Sequence, residues 1–395
     1  MLDDYMAAEN VIPIRVLFAI SSLRLGGSQH VLIELLKGLD RHLFDPHLAL
    51  LDNAGEFRDR VPSDVPVHPL KVRRARNAVF PLASLCWRLR PQVILSFSAQ
   101  LNTAAIVAHM FMPRSTSVLA REGANVTLPA VAGAARRLIY RSVYSHAHQV
   151  ICQSDDMVER LSSSFRIPKH RLVRIYNSVD SSGLTTLAQE RSPYDTPGPN
   201  LVAVSRLVPV KGIDLLIEAM PKVIRIHPNT TLTLVGGGPQ ESQLRILTHR
   251  MGLDRAVRFI GFQANPFPYI YHADLLIIAS RSDAFPNVAL EALALGTHVV
   301  ATDCPGGIRE ISRYTKHLTL ATEIGPGQLA LAINRALERR TSERRTRRST
   351  RHQVEEEFLR EFSPARIIAM YQRTLAIAAG AGAICEDTSA YATAR

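Results

Sequence analysis

The feature that most constrains this chain is a repeated alternation between short apolar runs and helix-spaced apolar patterns. Ile14-Arg15-Val16-Leu17-Phe18-Ala19-Ile20 has the nearly unbroken apolar character of a strand buried on both faces. A glycine turn, Leu25-Gly26-Gly27-Ser28, follows, and then apolar residues at 31, 32, 35, 36 and 39 trace one face of a helix. The same grammar predicts strands at 46–51, 93–96, 117–120 and 149–152, with helices over 79–89, 101–111 and 133–145. Prolines and glycines at 193, 197, 198 and 199 break both periodicities. Beyond them the alternation restarts, with strands at 201–205, 231–235, 257–260, 275–279 and 298–301 and helices near 213–225, 239–251, 287–295 and 327–338. Alternating strands and helices imply an α/β protein with parallel, doubly wound sheets.

This pattern divides the 395 residues into an N-terminal Rossmann-like domain over 1–180, a linker over 181–199 and a second such domain over 200–362. An amphipathic helix over 363–380, expected to pack back on the N-terminal domain, and a tail over 381–395 complete the chain. Domains of this size each bury a self-sufficient core. A composition 46% hydrophobic and 21% charged excludes a disordered chain, a collagen-like repeat and a small disulfide scaffold. No apolar run reaches 18 residues, which argues against an integral membrane protein. The four cysteines lie far apart, and an acidic Met1-Leu2-Asp3-Asp4 start with Pro13 and Arg15 soon after is unlike a secretory signal. Both features predict a reducing, cytoplasmic location.

Net charge is +12 and unevenly placed. Residues 61–150 carry eleven Lys and Arg against only Asp64 and Glu122. Such a surface suits nucleic acid, anionic lipid or a phosphorylated substrate, and charge alone does not choose among them.

Four motifs sit where strands end and helices begin, which is where open parallel sheets bind ligands. Gly26-Gly27 lets the backbone approach an anionic group beside a helix start, although a tight turn explains the pair equally well. Arg206 ends a strand and Lys211 follows five residues later, so a planar fork and a mobile point charge can reach one diphosphate. Taken alone, two cations in a loop are more often a solvated face. Gly236-Gly237-Gly238-Pro239 reads as a glycine turn into a helix with Pro at its first position. It lacks the spacing of a dinucleotide fingerprint. In Ser280 to Ala292, Pro286 fixes a helix start, with Asp283 in the preceding loop and Glu291 inside the helix. A diphosphate can rest on such a terminus while carboxylates accept from sugar hydroxyls. The alternative makes Asp283 a cap and Glu291 a surface residue.

Taken together and in order, these segments resemble the retaining glycosyltransferases of family 4, which have the GT-B fold. The resemblance covers nearly the whole chain. It includes Gly26-Gly27, Ser205-Arg206, Lys211-Gly212, Gly236-Gly237-Gly238-Pro239, Gly261-Phe262, the Asp283 to Glu291 spacing of a Glu-x7-Glu pattern, Glu291 to Gly296, Thr302 to Glu310, and Tyr176 to Asp180. It implies two Rossmann-like domains facing across a cleft, acceptor on the first and nucleotide sugar on the second. Arg206 and Lys211 then bind the donor diphosphate and Asp283 meets the transferred sugar near the reacting carbon. Glu291 attends the ribose, and Gly26, Gly27, Gly236, Gly238, Phe262, Phe285, Pro286, Asn287 and Val288 complete the donor site. The sequence departs from the family in three places: Asp283 stands for the first Glu, Ser312 to Thr322 diverges, and Ala120-Arg121-Glu122-Gly123 replaces a family His. The last makes Arg121 an acceptor-side candidate.

The chain has no D-x-D and no histidine spacing of a metal site, so no metal and no other cofactor is expected. The resemblance implies a nucleotide-diphosphate sugar, UDP-based, as donor and a lipid-diphosphate-linked saccharide as acceptor in polysaccharide or lipopolysaccharide assembly. Arg136, Arg137 and Arg141 share a predicted helix with Leu138, Ile139, Val143 and Tyr144, which reads either as a solvated face over an ordinary core stripe or as a helix lying on an anionic membrane surface. The latter places the protein peripherally at the inner face of the cell membrane. Alternatives are a sugar-nucleotide epimerase or phosphorylase of the same architecture, or a catalytically silent binding partner. Nucleic-acid binding accounts for the charge but for none of the ordered loop motifs.

Overall fold

The computed structural model describes residues 12–24, 26–123, 141–195, 198–346 and 353–381. The chain forms two compact units. The first runs to Gln153, takes in Met157–Tyr176 and regains the chain from Pro364, while the second holds Ser154–Asp156 and Asn177–Ser363.

The first unit is built on parallel strands β1 (Ile14–Ile20), β2 (Phe44–Leu50), β3 (Val67–Pro69), β4 (Val93–Phe97), β5 (Ser117–Arg121), β6 (Gln149–Cys152) and β7 (Leu172–Arg174). Their order is β3-β2-β1-β4-β5-β6-β7. β1 is central, with Val16 level with Pro46 on one side and Val93 on the other. Val16, Leu17, Phe18 and Ala19 are fully buried, which is why this strand carries no polar alternation. Helices α1 (Gly27–Gly38), α2 (Val79–Leu89), α3 (Ala99–Ala108) and α4 (Asp155–Ser163) connect the strands. The helix expected over 133–145 falls, apart from its last residues, outside the described residues, as do Arg136 and Arg137.

The second unit has the parallel strands β8 (Asn200–Val204), β9 (Thr231–Val235), β10 (Val257–Gly261), β11 (Leu275–Ile278), β12 (His298–Thr302) and β13 (Leu318–Ala321). Their order is β10-β9-β8-β11-β12-β13. Its helices are α5 (Ser181–Ala188), α6 (Ile213–Ile226), α7 (Glu241–Arg250), α8 (Phe267–His272), α9 (Asn287–Ala294), α10 (Ile308–Ile311), α11 (Pro326–Thr346) and α12 (Glu356–Glu361). α11 packs along α6, and Leu216, Met220, Leu329 and Ile333 join Leu201, Leu232 and Ile277 of the sheet in one core. The strand order reverses between the parallel neighbours β8 and β11, which makes the carboxyl ends of those strands the topological switch point of this sheet.

The final helix, α13 (Pro364–Ala378), belongs to the first unit and packs on α1. Gly38 makes room for it, since a Cβ there would come within 2.1 Å of Ile368. Arg121 ties the same helix to the sheet. Only 1% exposed, it donates from Nε to the Tyr371 hydroxyl at 2.8 Å and lies 5.4 Å from the centre of the Phe97 ring. The acceptor-side role expected of this side chain gives way to an interior one, because a buried guanidinium has to keep its partners.

The segment expected as linker over 181–199 is a helix in its first part. Proline content dominates 193–199, but Asp180 starts α5 upstream of it. Its carboxylate accepts from the amides of Ser182 and Gly183, both at 3.2 Å, and so takes up donors that the first turn leaves open. Leu184 and Ala188 are then buried one turn apart. Asp180→Ala is expected to cost about 1 kcal/mol, read as a lower urea midpoint with an unchanged slope.

Candidate active site

Four loops at the carboxyl ends of strands build the site in the second unit. The loop after β8 holds Ser205, Arg206 and a single 3-10 turn, Pro209–Lys211. Gly212 ends that turn at φ 62°, and a Cβ there would sit 2.0 Å from the carbonyl oxygen of Ala279. Only glycine therefore lets the loop after β8 press against the end of β11. Across the same seam the Arg281 amide donates to the Val210 carbonyl at 2.8 Å.

The side chain of Arg281 locks this approach. It donates to both carboxylate oxygens of Asp214, at 2.8 and 2.5 Å, and to the Pro209 carbonyl at 2.7 Å. This bidentate geometry fixes distance and plane together. The hydrogen bond from Arg281 and its charge hold the Asp214 carboxyl below its ordinary range. Neither residue was expected in the site. Arg281 and Asp214 both lie inside recognisable motifs, but nothing in the sequence says that they meet.

Under this clamp Lys211 and Asp283 come together, with Nζ 2.6 Å from Oδ2 and both side chains mostly buried. Two motifs separated by 72 residues thus converge at the switch point. Asp283 is held by its backbone as well, pairing in a parallel bridge with Gly306 and donating its amide to the Pro305 carbonyl at 3.1 Å. Burial, with the Asp283 charge second, pushes the neighbouring Cys304 thiol up to about 11, so this cysteine is an inert wall of the site.

Arg206 projects into solvent, and its side chain has no hydrogen bond or ion pair among the described residues. Beside it, the Ser205 hydroxyl is enclosed and likewise without a hydrogen-bond partner among the described residues. Gly236 backs directly on this segment at φ 127°, where a Cβ would lie 2.0 Å from the Ser205 carbonyl oxygen. Gly238 stands close behind Leu207, where a Cβ would lie 2.5 Å from the carbonyl oxygen, while Gly237 faces open space. Pro239 was expected as the first helical residue. Instead Pro239 and Gln240 form a turn, closed by the Glu241 amide donating to Gly238, and α7 starts at Glu241.

Pro286 immediately precedes α9, which begins at Asn287. Phe285 turns its ring into the core against Phe362 and fills the space over Gly307, so toward a ligand it offers backbone alone. Asn287 and Val288 are partly exposed in the first turn. Asn177, absent from the expected site, donates to the Asn287 side chain at 2.6 Å and to the Phe285 carbonyl at 3.3 Å, and so orients that turn. Phe262 is exposed after β10. Gly26 and Gly27 belong to the first unit, where Gly26 caps α1 with extended backbone at the carboxyl end of β1. Among the described residues no cluster of His, Cys, Asp and Glu could hold a metal ion.

Comparison with known proteins agrees with this architecture. Residues 26–178 match the family model for a glycosyl transferase 4-like domain, and residues 198–339 match the model for glycosyl transferases group 1. The chain belongs to these glycosyltransferases. Lipopolysaccharide core biosynthesis glycosyltransferase LpsE of Rhizobium meliloti is 29% identical over 167 residues, which are 42% of this chain and 47% of that protein. A Campylobacter jejuni enzyme, N-acetylgalactosamine-N,N'-diacetylbacillosaminyl-diphospho-undecaprenol 4-alpha-N-acetylgalactosaminyltransferase, is 26% identical over 309 residues, 74% of this chain and 81% of that one. In fold, the crystal structure of Anabaena HepE in complex with UDP superposes with a TM-score of 0.71 at 20% identity, over 92% of this chain and 100% of that chain. Several of the curated relatives are matched over only about half of their length, 44%, 53% and 47% for three of them. The solved neighbours are GT-B glycosyltransferases, and the two parallel α/β units have that fold.

Glu291 provides a test of the site's electrostatics. It lies on α9, partly exposed, with no side-chain hydrogen bond among the described residues, and burial pushes its carboxyl up to about 7. An unfolded Glu titrates at about 4.3. Between these values the native state binds more protons than the unfolded chain, so stability from this group is present at acidic pH and lost as pH rises to about 7. Glu291→Gln removes the loss. The gain in Tm of the variant over the parent is expected to widen from pH 5 to pH 7 and then level off, by about 2–4 °C for each kcal/mol involved.

Proposed function

We propose that this chain is a retaining glycosyltransferase that moves a sugar from a UDP-sugar to a lipid-diphosphate-linked saccharide, working without a metal at the cytoplasmic face of a membrane in cell-surface polysaccharide assembly. The observation that carries this reading is the meeting of Lys211 and Asp283 at the switch point, with unpaired Arg206 on the same loop. The donor choice is supported by HepE, crystallised with UDP, and the acceptor class by the Campylobacter relative, whose name specifies a diphospho-undecaprenol saccharide.

In this reading the diphosphate draws Lys211 away from Asp283 and takes Arg206 as its second cation. Asp283, released, accepts from hydroxyls of the sugar, while Glu291 accepts from the ribose. The first turn of α9 adds its backbone amides. As the bond between the anomeric carbon and the diphosphate oxygen breaks, charge grows on the leaving group where Arg206 and Lys211 stabilise it. The acceptor oxygen bonds to the same face of that carbon, and its proton passes to the departing phosphate oxygen. A dedicated side-chain base is unnecessary.

Thermal shift with UDP, GDP, ADP and CMP in the presence of EDTA tests the donor site. UDP is expected to raise Tm, and Arg206→Ala to weaken binding about 10- to 100-fold, the worth of charge-assisted hydrogen bonds. Transfer to a lipid-diphosphate-linked saccharide, followed by NMR of the anomeric proton, tests the chemistry. An inverted anomer overturns retention, sugar epimerised without acceptor favours the epimerase, and nucleotide binding without turnover on any acceptor favours a silent partner.

A further inference from the structure

Residues 65–121 contain no Asp and no Glu. The carboxylates bounding this stretch are both engaged, Asp64 with Arg41 and buried Glu122 with the Tyr144 hydroxyl. Between them, Arg73, Arg74 and Arg76 precede α2, Arg88 and Arg90 close it, and Arg114 follows the turn after α3, all exposed. None of the six makes an ion pair among the described residues.

The same elements expose large apolar side chains. Phe80 and Trp87 lie two turns apart on the outer face of α2, 70% and 49% exposed. Met110 and Phe111, in the turn His109–Phe111, are 76% and 46% exposed. These residues form one patch: the Phe80 and Phe111 rings lie 5.4 Å apart, and the Trp87 indole donates to the Phe111 carbonyl at 2.8 Å. Because that N–H is already satisfied, moving the indole out of water leaves no donor unpaired. Arg90 stacks on the indole with its guanidinium carbon 4.3 Å from the ring centre. A cavity of about 230 Å³ borders α2, lined by His68, Ser84 and Arg88 together with Val67, Pro69, Leu70, Pro81 and Leu85.

We infer that this face of α2 and the 109–111 turn is a membrane-docking surface for anionic phospholipid, with Phe80, Trp87, Met110 and Phe111 entering the interface and the flanking arginines meeting phosphate headgroups. Protruding Met110 and Phe80 amid unpaired cations suit the boundary between headgroups and acyl chains, where aromatic side chains and arginines both gain. The inference deepens the reading of a membrane-borne acceptor, and places the contact on described residues other than the helix first expected to make it.

Trp87 is the only tryptophan in the chain, so its emission reports on this surface alone. With vesicles rich in phosphatidylglycerol, emission is expected to shift to the blue and to be quenched by brominated acyl chains. With pure phosphatidylcholine neither occurs, and high salt reverses the effect. R88E/R90E/R114E is expected to weaken flotation about a hundred-fold, and F80S/M110S to retain electrostatic recruitment but lose bromine quenching. Unchanged emission with anionic vesicles overturns the inference. So does flotation that survives the triple charge reversal, or a response to an oligonucleotide with none to vesicles. The UDP-induced thermal shift, measured on the same samples, separates the two proposals: vesicle binding without it refutes the transferase reading alone, and the shift without vesicle binding refutes this surface alone.

Discussion

The second unit depends on one seam, the contact between the loops that leave β8 and β11. At a switch point, two neighbouring strands send their chains to opposite sides of the sheet, and a crevice opens between the loops. Here the Arg281 clamp on Asp214 and the Pro209 carbonyl draws the crevice's floor together and sets Lys211 against Asp283 above it. An ion pair this enclosed is expensive to break by deleting one partner, but an arriving anion can take the lysine while sugar hydroxyls take the carboxylate. The pair is thus a placeholder with the charges of the complex that the site is proposed to form.

The close fit of these loops is achieved at glycines. Gly212 and Gly236 have positive φ, and each backs on a carbonyl oxygen where a Cβ would sit 2.0 Å away. The two positions bracket Ser205 and Arg206, one from the β11 side and one from the β9 side. The glycine run read as a phosphate cradle therefore has an architectural task as well: it lets the loop bearing Arg206 lie flat against its neighbours, which leaves the arginine side chain nowhere to go but outward.

Much of this was legible in the sequence, and the misses have physical causes. The central strands are buried on both faces and appear as apolar runs, so their positions could be read to within a residue or two. Val67–Pro69, Leu172–Arg174 and Leu318–Ala321 were not legible, because three or four residues, most of them only partly buried, show no period. α5 was hidden by the prolines beyond it, although Asp180 two residues before Ser182 is a helix-start signature. In the site, each loop motif could be found alone. The pairing of Lys211 with Asp283, of Arg281 with Asp214 and of Asn177 with Asn287 could not, since contacts across 67 to 110 residues are a property of strand order. Arg121 shows the converse error. A polar residue at a strand's carboxyl end looked like a ligand group, and only burial against Tyr371 and Phe97 identifies it as an internal brace.

The excess of positive charge becomes intelligible once cations are sorted by whether the fold neutralises them. In the second unit many are paired: Lys211 with Asp283, Arg281 with Asp214, Arg309 with Asp303, Arg258 with Asp195, and Arg245 with Glu241. Such pairs position loops and contribute little outward field. Arg206 stands outside this pattern, as do exposed Lys222, Arg225, Arg250 and Arg255 and the six arginines around α2. A folded chain gains nothing by crowding unpaired guanidinium groups, whose mutual repulsion works against compaction. On the two proposals above, that repulsion would be relieved by negative charge from outside, a diphosphate at Arg206 and a phosphate-bearing surface at α2. Arg206 and the α2 arginines differ in apolar company. Arg206 is joined by an enclosed hydroxyl and glycine backbone, which suits a small anion, whereas the α2 arginines are joined by four exposed apolar side chains, which suits an interface.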